Sequence, residues 1–343
     1  MRNGIAIGGS IFVDYLKEIG FYPGEGMLSP INSQGRSIGG CVSNTAISLK
    51  RLSPSMDVYA IGCVGNDSAG DYIRDTYLKK GLDFEGLKTI NEIPTGFTDV
   101  FSNTSSKART FFVHMGANRL FDHSHIDYQS LNVRILHLGY LLLLENMDSP
   151  DEEYGTVMAR ALHDAKKFGI KTSIDMVSED SDRYSKIVPP ALKYCDYIIV
   201  NEIEAGKTVG IDSRDEKGNL IWKNLPTICE KLLDLGVCEY AVIHCPETGI
   251  MMDSQKKWVG MRSLKLPDGF TKGSVGAGDA FCAGTLTGLY NGSSPEETMR
   301  LAISAAAGCL SSEDGTGGVG TIERMMELHK KYADPDEIWT SVV

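Results

Sequence analysis

Short apolar runs alternate with longer amphipathic stretches along this chain. The segments "GIAIGG" (4–9), "DVYAIG" (57–62), "RILHLG" (134–139), "KTSID" (171–175), "DYIIVN" (196–201) and "YAVIHC" (240–245) read as strands buried on both faces. Between them, 67–80, 151–169, 225–236, 277–291 and 295–310 read as helices. The last has a well-marked start: Ser294 as N-cap, Pro295 at the first helical position and Glu297 completing a capping box. Strand and helix in alternation predict an α/β protein.

One region breaks the alternation. Residues 93–114, "IPTGFTDVFSNTSSKARTFFVH", hold two alternating strand-like runs around a polar turn, which is a hairpin pattern. The stretch 11–36, rich in Gly, Pro and Tyr, is non-helical through much of its length. Both follow core strands, so together they are expected to form a small β-sheet beyond the carboxyl ends of the main sheet, where α/β proteins bind ligands. A flap in that place would be a lid. The expectation is one domain over 1–343, with the lid made from about 11–36 and 93–118. An exposed lid edge can also pair with a second copy, giving a homodimer.

Composition narrows the function classes. A formal net charge of −11 argues against nucleic acid held on a broad basic surface. The longest apolar run, "ILHLGYLLLL" (135–144), is too short to span a bilayer. "MRNGIAIGGS" shows no secretory leader pattern, and the cysteines form no C-x-x-C or zinc spacing. The expectation is a cytoplasmic protein with free thiols and no membrane partner.

The chemistry concentrates in "TKGSVGAGDAFCAG" (271–284), where three glycines precede Asp279 and a run of small apolar residues. The stretch fits neither a Walker A loop nor G-x-G-x-x-G. Read alone, it is a tightly packed helix start with Asp279 as partner of the macrodipole. Its glycines also leave backbone N–H groups uncovered, where an anion can bind. Upstream, "GGCVSN" (39–44) sets two glycines before a helix bearing Asn44. "IGCVGNDSAGDYIRDTYLKKGLD" (61–83) runs strand, turn, helix. "NEIEAG" (201–206) follows a strand directly, and "IHCPETGI" puts Gly249 just past another.

This ordered set resembles the ribokinase-like, PfkB-type carbohydrate kinases, from about residue 4 to 320. "GAGDAFCAG" matches the family's carboxy-terminal signature, "GGCVSN" and "IGCVGNDSAGDYI" its amino-terminal one, and "NEIE" its N-x-x-E motif. The resemblance implies a three-layer α/β/α fold, a central mostly parallel sheet flanked by helices with a small β-sheet lid, and ATP-dependent phosphorylation of a hydroxyl on a sugar or sugar derivative. Asp279 would be the base, and the amides after Gly276, those of Ala277, Gly278 and Asp279, an anion hole for the transferring phosphoryl group. Asn201 and Glu204 would organise Mg²⁺, Glu204 mainly through water. Their other reading is as turn and helix-start residues. Asp14, Gly39, Gly40 and Asn44 would hold the sugar, though Asp14 also suits a local turn cap. Arg109 would meet an anionic substrate group or else lie solvated on the lid. Glu145 would accept a hydroxyl or else sit on a surface loop, and Gly249 would let the nucleotide approach the backbone.

The sequence departs from the family where Asp-Thr often precedes the signature, for here Gly273-Ser274 stand. That aspartate accompanies a monovalent-cation site in ribokinase-like members, so such a cation is doubtful as a cofactor. Pro246 stands where glycine is common, which predicts a different loop on the nucleotide side. A nucleoside kinase of the same superfamily stays open, with Phe12, Tyr15, Phe97 and Phe111 as candidate base-stacking residues. So does a non-catalytic sugar- or nucleotide-binding regulator.

Overall fold

The structure is a computed structural model that describes residues 2–106 and 108–340. The outermost residues of the 1–343 reading, and position 107 within the expected lid, lie outside the described residues. Among those described, ten strands form one sheet. Its order from one edge is Ile338–Trp339, Trp258–Arg262, Thr248–Asp253, Tyr240–His244, Tyr197–Asn201, Lys171–Met176, Ile135–Leu141, Ile5–Gly9, Val58–Gly65 and Leu87–Ile90. From Tyr240–His244 onward every pairing is parallel. The first three strands are antiparallel additions at one edge.

Side chains alternate across this sheet with the period that strand geometry imposes. Ile5, Ile7, Ile199 and Val242 join the core beneath helices Gly40–Leu52, Ala277–Asn291 and Pro295–Leu310. Ala6, Leu136, Ile174, Ile198 and Ile243 face the opposite core, with helices Val157–Lys167, Tyr184–Leu192 and Asn224–Asp234. Both faces are thus covered, which is why these strands read as unbroken apolar runs.

A second sheet of four strands, in the order Ile31–Gly39, Phe12–Ile19, Phe97–Asn103, Arg109–His114, stands apart from the first. The hairpin expected in 93–114 is present, with Phe97 opposite His114. The segment 11–36 contributes the other two strands and is paired to the hairpin in parallel through Val13 and Phe97.

One helix starts later than its sequence pattern suggests. Residues 150–156 form a small antiparallel ribbon, and the helix expected over 151–169 runs over Val157–Lys167. Gly155 takes φ +91°, which a helix does not allow, and the carboxylate of Asp151 accepts the amides of Glu153 and Tyr154 in a tight turn. The Thr156 hydroxyl then caps the helix, accepting the Ala159 N–H at 3.2 Å. The capping box at Ser294 and Glu297 forms as read.

Candidate active site

Helix Ala277–Asn291 starts from Gly276, whose φ of +78° turns the chain so that the first-turn amides face outward. A Cβ on Gly276 would overlap the carbonyl oxygen of Gly315, so the turn is fixed by close backbone contact. Ala277 N–H donates to the Ser274 carbonyl at 3.3 Å. No acceptor among the described residues takes the amides of Gly278 and Asp279. Two amides, rather than the three expected, therefore stand open at this helix end.

Asp279 lies at the third position of the helix and is buried. Its two oxygens are held separately: Asn44 Nδ2 donates to Oδ2 at 3.0 Å and the Tyr140 hydroxyl to Oδ1 at 2.7 Å. Burial first, and the charge of Asp175 second, raise this carboxyl to about 7, against the pull of those hydrogen bonds. The acid therefore sits near the pH at which it can both take and release a proton.

Two cavities meet here. One, of about 530 Å³, has Asp279, Gly278, Tyr140, Asp175, Asn201, Glu204 and His244 in its wall. The other, of about 490 Å³, lies behind Ala277 and Gly278 and is walled mainly by Leu264, Leu266, Phe281, Ile303 and Ala307, with Pro246 at its rim. Gly278 and His244 belong to both walls. The His244 ring packs on Phe281 with centroids 4.7 Å apart, and burial lowers it to about 4, so it is neutral.

Asn201 and Glu204 do what a helix start demands. Asn201 Oδ1 accepts the Glu204 N–H at 2.9 Å, and Glu204 Oε2 accepts the Asn201 N–H at 3.0 Å. That leaves both groups facing the larger cavity. Ser178 donates to Glu204 Oε1 at 2.7 Å, yet burial still raises this acid to about 7. Three buried acids, Asp175, Glu204 and Asp279, thus share one cavity.

The residues expected at the sugar end come together in part. Helix Gly40–Leu52 carries Asn44 to Asp279 and begins at Gly40, with Gly39 as its N-cap. Asp14, on the small sheet, has its carboxylate where a Gly39 side chain would otherwise project. Burial raises Asp14 to about 6, opposed by a hydrogen bond with Thr98. Arg109 reaches the Glu313 carbonyl with Nη2 at 3.4 Å and is half-buried.

Two expectations are corrected. Glu145 opens the short helix Glu145–Asp148, is 63% exposed, and accepts from Arg119 Nε at 2.7 Å. The strand before it runs on to Leu141, past the expected end at 139, and its Tyr140 stands beside Asp279. Gly249 is buried with Met299 and the Phe281 ring against it, so its missing side chain makes room for Phe281 and not for a nucleotide. Sequence reasoning passed over Tyr140, Asp175 and His244. Each lies near the carboxyl end of a strand that the apolar pattern had marked, and that position was the available signal.

Comparison with known proteins identifies the fold. A family model described as pfkB family carbohydrate kinase matches residues 9–319, so the fold is that of a sugar-phosphorylating class of enzymes. The chain belongs to that family. It is 25% identical to a ribokinase of Haemophilus influenzae over 96% of this chain and 99% of the relative. It is 23% identical to an adenosine kinase of Schizosaccharomyces pombe over 77% of each. Among solved structures, Arabidopsis thaliana ribokinase complexed with ribose and ATP superposes with a TM-score of 0.78 at 21% identity. That match covers 96% of this chain and 99% of the other. A Methanocaldococcus jannaschii nucleoside kinase gives 0.72 at 16% identity, with 96% and 99% covered.

Proposed function

We propose that the protein transfers the terminal phosphoryl group of ATP to a hydroxyl of a sugar or sugar derivative, with Asp279 as base. The observation that carries this is the placement of one buried acid, raised to about 7, at the junction of a polar cavity and an apolar one, beside two open amides. The apolar cavity suits a nucleobase, and the polar one a polyol and phosphates. The substrate hydroxyl displaces the Tyr140 donor at Oδ1 and gives its proton to Asp279. Its oxygen bonds to the terminal phosphorus while the bond from that phosphorus to the ADP oxygen breaks. The amides of Gly278 and Asp279 hold the charge on the transferring group.

Mg²⁺ fits the larger cavity, whose wall brings together the carboxyls of Asp175, Glu204 and Asp279 with, among the described residues, no Lys or Arg. Glu204, Asn201 and Asp175 would hold it, largely through water, and when bound it neutralises phosphate charge. Gly273 lies 3.0 Å, measured from its ideal Cβ, from the Ser312 carbonyl, so a longer side chain there has little room. A monovalent cation forms no part of this reading.

Similarity to an adenosine kinase keeps nucleosides as the second acceptor class. Of the four aromatic candidates, only Phe111 lines the polar cavity, whereas Phe12 is 5% exposed within the protein, Phe97 stacks on His114 and Tyr15 packs edge-on against Phe97. That favours sugars. A thermal-shift and turnover panel of sugars, sugar acids and nucleosides with ATP should give its largest shift and its turnover with a sugar-class ligand. Turnover confined to nucleosides would reverse the choice, and none at all would favour a binding regulator.

The small sheet would close over the polyol as a lid. Its outer strand, Arg109–His114, exposes Phe111, Phe112 and Val113 by half or more. We propose that a second copy covers this edge. Light scattering should return the dimer mass, and Phe112→Lys should shift it to the monomer; a monomeric wild type ends the idea.

No helix among the described residues is long and apolar enough to cross a membrane.

A further inference from the structure

Directly beneath Asp279 lies a cluster of which the phosphoryl-transfer reading uses Asp175 alone. Cys41, His137 and Asp175 are all buried, and one ligand atom from each lies within 4.8 Å of the others. His137 Nε2 stands 3.3 Å from Asp175 Oδ2, Cys41 Sγ 3.8 Å from the same oxygen, and Cys282 Sγ 3.7 Å from Nε2. The ligand-to-ligand edges of a tetrahedral zinc site built from N, O and S donors come to roughly 3.3–3.6 Å. These three separations are close to such edges; Cys282 lies beside the imidazole, outside the three-residue group whose ligand atoms are all mutually close.

We propose that these four side chains form a site for a thiophilic divalent cation of the Zn²⁺ class, one layer below Asp279. Soft sulfur donors beside an imidazole select such an ion over Mg²⁺. The Ser173 hydroxyl lies 2.9 Å from His137 Nδ1 and fixes the ring with Nε2 turned to the cluster, the arrangement expected of a metal-bound histidine. On binding, each thiol releases its proton to solvent as its sulfur bonds the metal. The single imidazole proton resides on Nδ1, donated to Ser173. Asp175 and Cys282 also line the larger cavity, which gives the ion a way in.

The location ties this site to the base. Cys41 and Asn44 share helix Gly40–Leu52, His137 and Tyr140 share strand Ile135–Leu141, and Cys282 and Asp279 share helix Ala277–Asn291. Three of the four elements that supply a metal ligand thus also supply Asp279 or one of its two hydrogen-bond donors, strand Lys171–Met176 being the exception. Gly139 seals the space between, since a Cβ there would overlap the Asp175 carboxylate. An ion in the lower layer sets how firmly the upper one is held.

The test is titration of the metal-free full-length protein with Co²⁺. One equivalent should bind with a thiolate-to-cobalt charge-transfer band and the intense visible bands of a tetrahedral site, and Zn²⁺ should displace it. Cys41→Ser should abolish the charge-transfer signal or reduce it to that of one thiolate. Ser173→Ala, which leaves every ligand in place, should weaken Co²⁺ binding about 10- to 100-fold. The signal should survive Asp279→Asn, which separates this inference from the kinase reading. Should Cys41→Ser fail to fold, Cys282→Ser and Ser173→Ala carry the test. Weak octahedral bands only, or a thiolate band lost in Cys238→Ser (the exposed cysteine) and kept in Cys41→Ser, would overturn the proposal.

Discussion

The Asp279→Asn protein is expected to lose about two to four orders of magnitude in kcat while it keeps its fold and its affinity for nucleotide. The amide side chain still accepts from Asn44 or Tyr140, so the site keeps its shape and loses only the group that takes the proton. Turnover at saturating ATP and a nucleotide titration separate these effects, and wild-type turnover would remove Asp279 from its role. A second readout follows from proton linkage. The folded chain holds this proton more tightly than the unfolded one, because the carboxyl rises from 3.8 to about 7 on burial. Stability from this group is therefore whole below 3.8 and lost as pH passes about 7. The asparagine variant escapes that loss. Its melting temperature should exceed that of the wild type at about pH 8, and the gap should close toward about pH 4.

Gly276→Ala should bring the next largest loss. A left-handed backbone costs a non-glycine residue roughly 1–2 kcal/mol, and the added methyl would also run into the Gly315 carbonyl. The helix start then has to shift, and it takes the amides of Gly278 and Asp279 with it. Misplacing one such donor costs about 10²–10³ in kcat. Gly278→Ala is the matched comparison, since its Cβ meets only the His244 ring at 3.3 Å. Steady-state kinetics and thermal melts of the pair should show the larger loss at 276 in both. Equal effects would mean that Gly315 does not set the turn.

The parts of this molecule that show in the sequence are those written over short spans. Ser294, Pro295 and Glu297 announce a helix because capping is settled within one turn. The central strands show as apolar runs because both faces of the sheet are covered. The glycine-rich turn before Asp279 is equally local. What escapes notice is made by distant segments. Nothing near Tyr140 in the chain says that its hydroxyl ends on Asp279, 139 residues away. Nor does spacing bring Cys41 to Asp175, since one lies on helix Gly40–Leu52 and the other on strand Lys171–Met176, 134 residues further on. The acidic run before Thr156 passes for a helical first turn because Asp and Glu favour that place, although Gly155 bends it into a ribbon. The edge strands Thr248–Asp253 and Trp258–Arg262 left a usable trace, two apolar runs about a polar turn, and that was overlooked.

The three acids around the larger cavity set a trap for anyone selecting improved variants. A library sorted on heat resistance alone, in alkaline buffer, would enrich uncharged residues at 175, 204 and 279, since each relieves the strain of hiding a negative group. Its winners would be durable and inert. Survival and phosphorylation must be scored together if either is to advance.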